Sequence, residues 1–157
     1  MITDRTEADL RNRPEHVLLR QLRELNLDPR QFVIFGSAPL LVHGLRTDIR
    51  DLDVLARNSA WDEVVAKGKR ASGDVTRDEV REFHDGRIQF TQRWISGDFD
   101  TDDLINRATT VDGLRYAPLA EVLCYKEKLD RPKDQDDIAA LRKYLGLALP
   151  ATAGCRR

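Results

Sequence analysis

The chain has 157 residues, the size of one compact domain and too short for two, so a single hydrophobic core is expected. Lys plus Arg (26) nearly balances Asp plus Glu (27), and the net charge of -1 excludes a global basic field of the kind that draws proteins to nucleic acid or anionic membranes. Any contact with a polyanion must be local.

Residues 1–13 are charged and lack the apolar core of a signal peptide. No run approaches the roughly 20 apolar residues of a spanning helix, so no membrane partner is expected and the cytoplasm is the expected compartment. This first segment is expected to fray. Pro14 followed by Val17, Leu18, Leu19, Leu22, Leu25 and Leu27 predicts an amphipathic helix, with Pro early, where its missing N–H costs little. Gln31 to Phe35 predicts a short buried strand that runs into Gly36-Ser37-Ala38-Pro39 and then a helix over Leu40-Leu41-Val42, ending near Gly44. Arg46 to Arg50 is a polar loop. Asp51-Leu52-Asp53-Val54-Leu55 then alternates acid with aliphatic, which predicts a strand whose two Asp side chains share one face. Ser59 is placed to cap a helix containing Trp61, Val64 and Val65, and Gly68 to Gly73 is expected to be a mobile basic connection.

Val80 to His84 and Arg87 to Thr91 flank Asp85-Gly86, a dipeptide that tolerates positive φ at both positions and so predicts a hairpin. Asp112-Gly113 repeats the signal between Thr109-Thr110-Val111 and Leu114-Arg115-Tyr116, after a short helix near Asp102 to Ala108, and these strands are placed at a sheet edge. Pro118 opens a helix through Leu129, and Pro132 opens another through Ile138, Leu141 and Leu145 towards Gly146. The fold class is therefore α+β: a small mixed β-sheet flanked by helices, with a C-terminal helical pair, in one domain over residues 14–149. Residues 150–157 are expected to be a disordered tail. Cys124 lies in an apolar helical pattern and Cys155 in the tail, without metal-like spacing, so free thiols are expected.

The chemistry concentrates where the first strand ends. Gly36 lets the backbone turn tightly against a ligand, and the helix that follows offers unpaired N–H groups and the positive end of its dipole, a place for phosphate. Ser37 adds a hydroxyl there, and Asp51 and Asp53 arrive on the adjacent strand. Two carboxylates on one face suit Mg²⁺, which prefers oxygen ligands and shares them with phosphates and water. In the intervening loop, Arg46 could grip a phosphate through its guanidinium fork or form a surface pair near Asp48. His43, late in the helix, reads as a helix C-terminal residue.

These residues, FGSAPLLVHGLRTDIRDLDVLA, resemble the signature of the nucleotidyltransferase superfamily: a strand, Gly-Ser at a helix start, then Asp-x-Asp on the next strand. A second stretch, YKEKLDRPKDQDDI, resembles the helix–turn–helix of small members such as abortive-infection-type toxins, with Lys126, Arg131, Lys133, Asp134 and Asp137 at the matching positions. Together the two cover residues 31–146, and the first is the specific one. The resemblance implies Asp51 and Asp53 as the catalytic metal ligands, Gly36, Ser37, Arg46 and Lys126 around the nucleotide, and Asp134 as a group orienting basic neighbours. Arg131, Lys133 and Asp137 read equally as a surface ion-pair lattice.

The superfamily usually supplies a third carboxylate from a later strand. Here that strand reads GRIQFTQRW and the position falls on Gln89, whose amide cannot act as a base near neutral pH. Asp85 or Glu82 on the hairpin could substitute, a shifted register could hide the acid, or two carboxylates could suffice. His84 is a further candidate base on the same hairpin.

The resemblance implies a Mg²⁺-dependent transfer of a nucleoside monophosphate from an NTP to a hydroxyl or phosphate acceptor. That acceptor would be a tRNA end, a small hydroxylated compound or a protein side chain, and a toxin role would add a cognate antitoxin. The alternative is a catalytically impaired nucleotide sensor or toxin–antitoxin-type interaction module of the same fold, for which Gln89 speaks. Lys67, Lys69 and Arg70 with Arg77 and Arg81 form a candidate RNA footprint, or a solvated loop.

Overall fold

The computed structural model describes residues 14–72, 79–93 and 100–146. They form one seven-stranded mixed sheet with helices on both faces, the α+β class expected. In chain order the elements are α1 (Val17–Glu24), a 3-10 turn (Pro29–Gln31), β1 (Phe32–Phe35), α2 (Ala38–Val42), β2 (Leu52–Ala56), α3 (Asn58–Lys67) and β3 (Lys69–Ser72). There follow β4 (Glu79–Phe83), β5 (Ile88–Thr91), α4 (Thr101–Asn106), β6 (Thr109–Val111), β7 (Leu114–Tyr116), α5 (Leu119–Leu129), a 3-10 turn (Pro132–Asp134) and α6 (Gln135–Leu145).

The sheet order is β3-β4-β5-β2-β1-β7-β6. β2 with β5 and β1 with β7 are parallel, and the other neighbours are antiparallel. Period-2 alternation divides the side chains of the central strands between two cores. Phe32, Ile34, Val54, Ala56, Ile88 and Phe90 face α1 and α3 through Leu18, Leu22, Trp61 and Val64. Val33, Phe35 and Leu55 face α4, α5 and α6 through Leu104, Ile105, Val122, Leu123 and Leu141.

Both Asp-Gly signals form the turns they predict. Asp85 and Gly86 have φ of 57° and 82°, and the Arg87 amide donates to the His84 carbonyl at 3.1 Å across the turn. Asp112 and Gly113, with φ of 49° and 81°, join β6 to β7 in the same way. Gly146, in left-handed geometry, ends α6 as expected, and Asp130 does the same for α5.

Other expectations are corrected. Ser59 lies inside α3, whose N-terminal residue has no side-chain cap, because β2 runs directly into the helix through Arg57. Residues 69–72 of the expected loop are β3, since β4 offers them a complete antiparallel ladder; Gly73 lies outside the described residues. β7 is interior, held by β1 on one side and β6 on the other, so of these two strands β6 alone lies at an edge. Cys124 is not a free thiol but disulfide-bonded: spacing along the chain says nothing about proximity in the fold. Cys155, the expected frayed segment 1–13 and the tail 150–157 lie outside the described residues. No helix among the described residues is long and apolar enough to cross a membrane.

Candidate functional site

Strand pairing sets the first contact of the site. Phe35 is opposite Asp53 in the β1–β2 ladder, so the residue after Phe35 turns over the Asp53 side chain. That residue is Gly36, with φ of +73°, and a Cβ built there would lie 2.9 Å from Asp53 Oδ2. Glycine is favoured twice, by the left-handed backbone and by the space that the Asp53 carboxylate takes up. Asp51 sits just before β2 rather than in it and is exposed, while Asp53 is partly buried.

Both carboxylates open onto a cavity of about 300 Å³. One wall carries Gly36, Ser37, Arg46, Arg50, Asp51 and Asp53. The other, from α5, the following 3-10 turn and α6, carries Tyr125, Lys126, Arg131, Lys133, Asp134 and Asp137. The fold therefore brings the two sequence stretches, some 90 residues apart in the contact of Ser37 with Lys126, onto one space.

Lys126 is 2% exposed. Its Nζ lies 3.2 Å from Ser37 Oγ, 3.1 Å from Asp134 Oδ1 and 3.2 Å from Asp137 Oδ2. An ammonium has three N–H donors, and here three acceptors meet them. Ser37 in turn donates to Asp137 Oδ2 at 3.2 Å, and Arg46 Nη1 reaches both Asp137 oxygens at 3.0 and 2.9 Å. Arg131 Nε donates to Asp134 Oδ2 at 2.6 Å. Burial raises the Asp134 carboxyl, but the Arg131 hydrogen bond and the Lys126 charge outweigh it and hold the group below its ordinary range. Buried charges are tolerated only when paired in this manner. Lys126 and Arg46 both line the cavity; the Lys126 ammonium is taken up by Ser37, Asp134 and Asp137, while Arg46 gives Nη1 to Asp137 and Nε to the Asp48 carbonyl.

Other cations also face the cavity. Arg50 and Lys133 are exposed and have no ion pair among the described residues, and the Arg131 side chain is 30% exposed. Sequence reasoning passed over Arg50, though its place beside Asp51 marked it, and weighed Arg131 and Lys133 as lattice charges. The electrostatics tie these groups together. Burial, then the charge of Asp51, pushes the Asp53 carboxyl up to about 7, against the lowering influence of Lys126, Lys133 and Arg131. Helix α2 has only five residues, so its dipole adds little at the turn and the positive potential comes from side chains.

Asp51 and Asp53 are the cavity residues that could hold a metal ion. No cluster of three or more His, Cys, Asp or Glu able to hold a metal occurs among the described residues. Two carboxylates beside an open, cation-lined cavity instead match the use of one or two protein oxygens with phosphate and water completing the shell.

Gln89 is the register partner of Asp53 on β5, and its Nε2 donates to Glu82 Oε2 at 3.0 Å on β4. It does not itself line the cavity, and neither does Asp85, which is exposed on the hairpin turn with His84. His43 is also absent from the cavity wall; burial lowers its pKa, and its ring stands 6.4 Å from that of Tyr144. Within the basic footprint, Lys67 pairs with Glu63 and Arg81 with Glu79, leaving Lys69 and Arg70 exposed, while Arg77 lies outside the described residues. Comparison with family models, with curated proteins and with solved structures finds no match to this chain.

Proposed function

We propose that the chain is a Mg²⁺-dependent nucleotidyltransferase that moves a nucleoside monophosphate from an NTP to a hydroxyl-bearing acceptor. The observation that carries this reading is the Gly36 turn lying directly over Asp53, with Asp51 and three outward cations around the same cavity. Mg²⁺, held by Asp51 and Asp53, would neutralise phosphate charge and polarise the phosphorus under attack. Arg50, Arg131 and Lys133 receive the rest of the triphosphate charge, in a partly enclosed site where such contacts count for more than in bulk water. The Gly36 backbone allows the phosphates to approach without a side chain in the way. Lys126, Asp134 and Asp137 fix Ser37 and Arg46 beneath them and so hold the floor of the site in one geometry.

A second reading is favoured by one observation. Gln89 stands in register with Asp53, so the neighbouring position on the sheet is an amide instead of an acid. A chain that binds Mg²⁺ and NTP without turning them over would act as a nucleotide sensor or an interaction module.

Thermal unfolding with each NTP, with and without Mg²⁺, tests the reading. A ligand at 100 times its Kd stabilises the folded state by about 2.7 kcal/mol. The expected result is a Mg²⁺-dependent rise in Tm that an Asp51→Ala/Asp53→Ala variant loses. Release of pyrophosphate then separates enzyme from sensor. No rise with any nucleotide sinks both.

A further inference from the structure

The sheet face that carries Asp53 continues beyond it. Asp53 is in register with Gln89 on β5, and Gln89 with Glu82 on β4, so all three side chains emerge on one face. The apolar cluster on this face includes Val33, Phe35 and Leu55 from β1 and β2 but no residue of β5 or β4. Among the described residues, that core ends where the polar row begins.

Glu82 is half-buried, and Gln89 is its hydrogen-bond partner at 3.0 Å. A carboxylate only accepts, so the amide nitrogen of Gln89 must face Glu82 and its carbonyl oxygen must lie on the other side. Gly86 leaves space for the acid: a Cβ there would stand 3.0 Å from Glu82 Oε2. No cation pairs with Glu82 among the described residues, whereas Asp134 and Asp137 are taken up by Lys126, Arg131 and Arg46. Under the proposed function, Asp51 and Asp53 are occupied by metal. Glu82 is the carboxylate left uncommitted in this row.

The geometry points to Glu82 as the proton acceptor of the transfer, with Gln89 as its positioning residue and the acceptor hydroxyl lying over Gln89, between Asp53 and Glu82. Two strand spacings separate Asp53 from Glu82, on the order of 10 Å of backbone, room for one sugar-sized group. In the step, the acceptor oxygen forms a bond to the α-phosphorus as its proton passes to the Glu82 carboxylate. The bond from the α-phosphorus to the bridging oxygen breaks, and pyrophosphate leaves with the electron pair. The inference rests on the nucleotidyl-transfer reading.

The test uses the full chain, Glu82→Gln, Gln89→Leu and two measurements. Mg²⁺-dependent Tm shifts with each NTP report binding. Pyrophosphate release, with water and with a short RNA ending in a 2′,3′-diol as hydroxyl sources, reports transfer. Glu82→Gln keeps an oxygen that can accept from Gln89, so it is expected to fold and to keep the wild-type Tm shift while losing about 100-fold or more in rate, the scale of a general base. Gln89→Leu is expected to lower the rate less, since it loosens the acid without removing it. Wild-type rate in Glu82→Gln overturns the inference and leaves the reading standing. Nucleotide binding with no pyrophosphate release by the wild type also overturns it, because Glu82 then has no proton to accept. Absence of any Tm shift in the wild type overturns the reading and the inference together.

Discussion

Gly36 and Asp53 are in contact through an atom that is missing: a methyl on Gly36 would lie 2.9 Å from Asp53 Oδ2. The β1–β2 register creates the approach by setting Phe35 opposite Asp53, and the turn at φ +73° completes it. Under the proposed function, a phosphate bound at this turn would neighbour the acid that holds the metal.

Gly36→Ala is expected to destabilise the protein by about 1–3 kcal/mol, from left-handed strain and from displacement of Asp53. Asp53→Ala removes the second part only. A double-mutant cycle by urea unfolding should therefore show coupling of about 0.5–3 kcal/mol. Strict additivity would mean that the two residues do not press on each other.

Lys126 and Lys133 line the same cavity, but their substitution should have opposite consequences. Lys126→Ala leaves Asp134 and Asp137 short of a buried partner and is expected to cost about 3–5 kcal/mol of stability. Lys133→Ala should alter stability by no more than about 0.5 kcal/mol and weaken Mg²⁺-NTP binding instead. Denaturant melts and nucleotide titrations of both variants check this. A stable Lys126→Ala that has merely lost nucleotide affinity would contradict the buried network.

The Asp53 carboxyl is raised by burial, and then by Asp51, from 3.8 to about 7. The folded state thus binds this proton more tightly than the unfolded chain, so stability falls as pH rises through that window. The full cost is present above the folded pKa and absent below the unfolded one, with an upper bound of roughly 4 kcal/mol. Asp53→Asn is expected to gain on the wild type as pH rises from about 5 to about 8. Added Mg²⁺ should shrink the gain by stabilising the ionised wild-type carboxylate. A stability difference that stays flat with pH would remove Asp53 as the responsible group.

Gln89→Glu would set a carboxylate in register with Asp53 and where the amide now donates to Glu82 at 3.0 Å. Repulsion should lower the Tm without metal at neutral pH, and Mg²⁺ should recover more stability in the variant than in the wild type. Magnesium titrations followed by thermal unfolding measure both. An unchanged response to Mg²⁺ would place Gln89 outside the reach of the metal site.

Elements whose signals are local could be read from the chain. FVIF before Gly36, the two Asp-Gly turns and the Gly146 stop each depend on a few adjacent residues, because backbone φ and strand alternation are decided locally. β3 could not be read in this way: Lys69 to Ser72 has no apolar face and becomes a strand only because β4 supplies hydrogen-bond partners. The same holds for β7, three residues long, whose place between β1 and β6 depends on a parallel contact with a strand some 80 residues earlier.

For the site, sequence alone determined the types of group: a glycine turn, a serine and two aspartates whose oxygens suit a hard cation. The resemblance also put Gln89 at the position of the third carboxylate, and the pairing of its strand with that of Asp53 came from the fold. The roles of the cations were decided only by tertiary structure. Lys126, Lys133, Arg131, Arg46 and Arg50 are alike in charge along the chain, yet packing buries Lys126 among Ser37, Asp134 and Asp137 and leaves Arg50 and Lys133 exposed at the rim. A charge finds its role from the acceptors within about 3 Å of it, and those come from residues distant in the chain.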